Sequence, residues 1–176
     1  IPGKRNPVRA VCDPSGAGFP DWGKNAMRYL LVDNGSLRPA SILNLRRVAR
    51  ELGRRSGREV LPASLLHSSK VPAAELEGEA AVNFERRLRW SLEAGLRDFR
   101  VVPFFFGPTA ALTDYLPERI AYRRKKHGDF RIDRLPFLFE REQPEDAGNR
   151  ILVEILADRV RSVISVHRRD VSARAR

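Results

Sequence analysis

Apolar residues along the chain gather into short runs that end in turn residues, and these runs alternate with longer stretches in which apolar positions recur every three or four residues. The first run, MRYLLVDNGS, closes on Asp33, Asn34, Gly35 and Ser36, the pattern of a buried strand entering a loop. Pro39 opens a segment in which Ile42, Leu43, Leu45, Val48, Ala49 and Leu52 keep helical spacing, with arginines on the other face and Gly53 and Gly57 as stops. EVLPASLLHSS reads as a second strand, which Pro62 confines to a sheet edge or a bulge. A polar loop from Lys70 to Gly78 then leads to a helix expected from about Glu79 to Ala94 and ended by Gly95.

DFRVVPFFFGP is the most apolar stretch, and its short length between charges predicts a central parallel strand. Phe104, Phe105 and Phe106 would alternate across that strand, so most of them belong to the core and at most one lines a pocket. Thr113 and Asp114 offer N-cap side chains to a helix running to about Lys126, with His127 and Gly128 at its end. FRIDRLPFLF reads as a fourth strand. From about Asp146 to Val166, Ile151, Leu152, Ile155, Leu156, Val160, Val163 and Ile164 make one stripe, which predicts a helix covering the sheet. Strand and helix thus alternate four times, giving an α/β fold with a doubly wound parallel four-stranded sheet flanked by helices. Ligands of such sheets bind outside the carboxyl ends of the strands, where strand order reverses.

The domain is expected to span residues 28–166. Residues 1–27, rich in Pro and Gly, read as an extended leader that Phe19 and Trp22 could pin down, and 167–176 as a basic tail. Arg or Lys interrupts every apolar run well short of the roughly 20 residues that cross a bilayer, and no signal-peptide pattern stands at the start, so a cytoplasmic location without membrane insertion is expected. Cys12 is the only cysteine, which excludes an intrachain disulfide and disfavours a cysteine-based zinc site. Its Pro/Gly-rich surroundings offer nothing to lower a thiol pKa.

Charge adds a partner class. Lys and Arg outnumber Asp and Glu by 33 to 22, a net +11, so the chain should attract polyanions: nucleic acid, an acidic lipid surface or a small ligand with several carboxylates. A solvated basic face is the plain alternative. Three loops are placed to act on a ligand, at Asp33–Ser36, His67–Lys70 and Gly107–Tyr115. None follows a G-x-G-x-x-G or G-x-x-x-x-G-K-[ST] pattern, which argues against dinucleotides and nucleoside triphosphates.

LLVDNGSLRP, the strand end VVPFFFGP and the following ALTDYLPERI together resemble the short sirohydrochlorin chelatases of the CbiX/SirB type, over roughly residues 28–166. In that family the corresponding stretches read approximately D-H-G-S-x-x-P and P-x-F-x-x-x-G-x-H-x-x-x-D-I-P. The resemblance implies a class II chelatase fold, a pocket for a polycarboxylate tetrapyrrole, and insertion of a divalent metal, cobalt or ferrous iron, as the metal substrate. With one copy of the family unit in the chain, it also implies a homodimer. The departures are specific. Asn34 stands where the family has its first histidine and Ala111 where it has its second, and no acidic residue follows the second strand. Neutral imidazole suits both proton removal and transient metal ligation near pH 7, whereas an amide ligates weakly and takes no proton.

His67 is the obvious substitute, as proton carrier and metal ligand, in a rearranged site with Ser68, Asp114 or Tyr115. Asp114 is the second catalytic candidate. Asn34, Gly35, Ser36 and Thr109 would hold the ligand, and Arg38 would pair with one of its carboxylates. Each has a plainer reading: His67 as a hydrogen-bonded structural residue, Asp33 as the closure of a turn, Gly35 as a residue that permits positive φ. His127 and His167 are weaker ligands, at a helix end and in the tail. The expected function is a divergent chelatase-like protein binding a tetrapyrrole or related anion. The alternative keeps the fold without the chemistry and places Arg119, Arg123, Arg124, Lys125, Lys126 and the tail on nucleic-acid phosphates, although no nucleic-acid motif is present.

Overall fold

Residues 27–138 and 149–161 are described by the computed structural model of the chain. Four strands, β1 (Arg28–Asp33), β2 (Val60–Ser64), β3 (Asp98–Pro103) and β4 (Arg131–Arg134), form one parallel sheet in the order β2-β1-β3-β4. β1 lies between β2 and β3, so the chain leaves β1 in one direction and returns past it in the other. This reversal is the topological switch point at which open α/β sheets carry their ligands. β2 is an edge strand whose only neighbouring strand is β1, the position that Pro62 requires because it donates no ladder hydrogen bond.

Helix α1 (Pro39–Ser56) starts with Pro39 in its first turn and ends at Gly57, whose φ of 63° closes the helix in the left-handed region. It packs Leu45 and Ala49 on Leu31 of β1. Helices α2 (Phe84–Glu93) and α3 (Leu116–His127) cover the opposite face, where Leu30 and Val32 of β1 and Phe99 and Val101 of β3 meet Phe84, Leu88, Leu92 and Leu116. Leu30, Leu31 and Val32 are consequently buried from both sides, which explains why β1 reads as an unbroken apolar run.

Several expected boundaries move. α2 begins at Phe84 rather than Glu79, because the Asn83 side chain caps it by accepting from Arg86 N at 2.9 Å, while Asn83 itself forms a parallel bridge with Ser64. Thr113 and Asp114 do not cap α3. They lie inside a π-helical turn over Ala111–Tyr115 that runs straight into it, and the Thr113 hydroxyl donates back to Thr109 O. β4 pairs only over Arg131–Arg134, before Pro136.

A further helix, α4, occupies 149–161, but it does not cover the sheet as its apolar stripe suggests: Ile151 and Ile155 are 61% and 52% exposed. On the α1 side, β3 and β4 present Arg100 bridged to Asp98 at 3.1 Å and to Asp133 at 2.9 Å, a charged surface against which such a stripe buries nothing. The expected leader up to residue 26, the basic tail, Cys12 and His167 all lie outside the described residues, as do both ends of the last expected helix, with Val163 and Ile164 of its stripe. Among the described residues, no helix is long and apolar enough to cross a membrane.

Candidate functional site

At the carboxyl edge of the sheet the backbone laces three loops together. Val32 O accepts from Phe104 N at 2.7 Å, Asp33 O from Leu65 N at 2.9 Å, and Asn34 O from Leu66 N at 3.0 Å. Gly35 then turns with φ of 91°, and a Cβ there would stand 1.7 Å from Leu66 O, so this position requires glycine for both its dihedral and its space. Ser36 N donates to Oγ of the fully buried Ser68 at 3.2 Å, and Ser36 Oγ accepts from Arg38 N at 3.0 Å. The loop after β1 is therefore held from both ends, and Ser68 is the clamp behind its wall.

In front of that wall opens a hollow of about 560 Å³, within the usual size of a small-molecule site. Asp33, Asn34, Gly35 and Ser36 form one side, Ser41 and Asn44 from the start of α1 the second, and Phe104, Phe105, Phe106 and Thr109 the third. Among the described residues, Asp33 is the only ionisable side chain on this lining. Burial pushes its carboxyl above the ordinary value, only partly offset by the Ser64 hydroxyl and the Gly35 backbone N–H, and its Oδ1 is buried without a hydrogen-bond partner. A carboxylate held in this way takes up a proton more readily than an ordinary one.

Of the residues singled out in the sequence, Asn34, Gly35, Ser36 and Thr109 come together on the lining. Arg38 stands exposed at the N-cap of α1, outside it. His67 is exposed with φ of 61°, in the loop stitched to Asn34 but not on the lining. Asp114 is exposed in the π-helical turn, and Tyr115 beside it packs against the core under Arg119, whose guanidinium lies 5.6 Å from its ring; neither reaches the lining. His127 ends α3, which runs antiparallel to the strands and so delivers it to the opposite edge of the sheet.

The phenylalanines overturn the expectation that at most one lines a pocket. Pro103 ends β3, so all three follow the strand rather than alternate across it, and all three line the hollow. Ser41 and Asn44 were missed as well. The signal was their spacing of three on the first turns of α1, which places both on the helix face turned to the loop.

Among the described residues, no group of three or more His, Cys, Asp and Glu side chains gathers where it could hold a metal ion. The cations reserved for nucleic acid are largely engaged within the chain. Arg119 and Arg123 pair with Glu85, Arg124 stacks on Phe130, and Lys126 sits 4.7 Å from the Tyr122 ring.

No protein-family model and no curated protein matches the chain. A solved structure does: a cobalamin (vitamin B12) biosynthesis CbiX protein from Marinobacter aquaeolei VT8 superposes with a TM-score of 0.53 at 17% identity, covering 76% of this chain and 99% of that one. The chain, with its four-stranded parallel sheet flanked by helices, thus shares the fold of that CbiX protein, the family its motifs resemble.

Proposed function

We propose that the chain is a chelatase-like protein whose hollow receives a tetrapyrrole or a closely related flat polycarboxylate. The observation that carries this reading is the hollow itself: it opens at the switch point of a CbiX fold, with amide and hydroxyl groups on one part of its lining and three phenyl rings on another. Asn34, Ser36 and Thr109 supply hydrogen-bond donors for carboxylates, and the net charge of +11 draws a polyanion towards them. Two copies paired across this site would enclose a macrocycle that one copy leaves open.

Metal insertion, with cobalt or ferrous iron as substrate, requires a group that accepts the protons leaving the pyrrole nitrogens. On this lining Asp33 is that group, since the Asn34 amide takes no proton. Asp33 is also the lining's one carboxylate for a divalent ion, beside only neutral amide and hydroxyl oxygens, so turnover is expected to be slow. His67, one loop away and joined to the site through the Asn34–Leu66 hydrogen bond, remains the imidazole that could deliver metal from outside. Arg38, on the same rim, is placed to meet a peripheral carboxylate, and Asp114 and Tyr115 would contribute only from a paired copy.

Titration with sirohydrochlorin followed by visible absorbance tests the reading. A saturable spectral shift is expected, with a second, slower shift on adding cobalt. A folded dimer that leaves the spectrum unchanged at high protein concentration would refute it.

A further inference from the structure

The lining of the hollow carries aromatic surface that the fold itself does not use. Phe105 turns inward against the main core cluster, but Phe104 is 38% exposed and Phe106 is 68% exposed. Their backbone is not loose: Phe104 N donates to Val32 O at 2.7 Å, and Phe105 O accepts from Leu138 N at 3.4 Å. Phe104 is thus anchored by its own backbone, Phe106 follows a residue whose carbonyl is also held, and both rings stand on the wall of an open hollow, exposing surface that a folded chain ordinarily buries.

What would cover them follows from the rest of the lining. An aliphatic ligand would satisfy the rings but not the Asn34, Ser36, Asn44 and Thr109 polar groups beside them, and a compact inorganic anion would satisfy the polar groups but not the rings. A flat conjugated anion satisfies both, because ring faces stack while its charged rim reaches the donors. A chain carrying +11 also favours the anionic form over a neutral dye.

We infer that Phe104 and Phe106 form an aromatic platform that selects flat conjugated polyanions, with Phe106 the main specificity determinant. This rests on the tetrapyrrole reading for its natural ligand but not for its chemistry: any rigid planar polyanion of suitable size should use the platform.

Two probes separate the claims, uroporphyrin as a tetrapyrrole octacarboxylate and pyrenetetrasulfonate as a flat polyanion that is not one. Each is titrated into the wild-type chain, Phe106→Ala, Phe104→Ala/Phe106→Ala and Phe106→Trp, with circular dichroism confirming that each variant is folded. Phe106→Ala is expected to weaken both probes about tenfold and the double variant about thirtyfold or more, while Phe106→Trp keeps or improves binding. Equal uroporphyrin binding by the wild type and the double variant would overturn the platform and leave the tetrapyrrole reading standing. Phe-dependent binding of pyrenetetrasulfonate without uroporphyrin binding would uphold the platform and overturn the tetrapyrrole reading. Binding of neither probe by the wild type would overturn both.

Discussion

The loops after β1 and β3 face the same hollow and are built on opposite principles. The first is polar and over-constrained, with Asn34 O, Gly35 and Ser36 N each locked to the loop after β2. The second is apolar and sends two of its three phenyl rings into the open. One loop spends its residues on holding a shape, and the other leaves surface free for whatever enters. Substitutions should therefore split: those that break the backbone fit of the first loop change stability, and those that remove the exposed rings of the second change binding with little effect on stability.

The largest effect is expected at Gly35. Alanine there must adopt φ near 91° and displace the Leu66 carbonyl, so Gly35→Ala should lower the unfolding free energy by about 2–4 kcal/mol. Urea denaturation reads this directly, and a loss under 1 kcal/mol would mean that the loop adapts and the contrast is false. Next comes Ser68→Ala, which leaves Ser36 N facing a buried methyl and should cost about 1–2 kcal/mol in the same assay.

Asp33→Asn is expected to act in the other direction. Because burial raises the folded-state pKa of Asp33, the native chain binds a proton more readily than the unfolded one. Stability from this group is greatest below the unfolded carboxylate value of about 4 and falls as pH rises through the folded value. At pH 7 the amide should accordingly raise Tm by about 1–3 °C, a gain that shrinks as the pH approaches 4. A constant gain at both pH values would assign the effect to packing instead. The smallest stability change belongs to Phe106→Ala, within about 0.5 kcal/mol of the parent, since most of the ring is already in water.

That same contrast shows what the sequence can and cannot express. The β1 loop was legible because its residues are chemically committed: Asp, Asn, Gly and Ser after an apolar run have few roles, and Asn34, Gly35 and Ser36 fall where that pattern puts them. Pro62 located the edge strand for an equally local reason. Phe104–Phe106 were misread because apolar runs carry no mark of where the strand stops, and a ring on a ligand wall looks like a ring in the core until pairing ends at Pro103. The α4 stripe failed similarly, since periodicity shows that a helix has an apolar face but not that a matching surface awaits it. His67 and Asp114 were placed by loop position alone, which does not tell a residue on a lining from an exposed one beside it. Asn83 gave a sharper signal, an amide before Phe84 with an N-cap's preference, that the helical periodicity further upstream obscured.

Backbone amide chemical shifts, recorded while sirohydrochlorin is added to the isotope-labelled chain, put the shared hollow to the most direct proof. Binding should move the signals of Asn34, Ser36, Asn44 and Phe104 to Thr109 together and leave Arg119 to Lys126 in place. Shifts confined to Arg119–Lys126, or none at saturating ligand, would contradict a tetrapyrrole site at the carboxyl ends of β1 and β3.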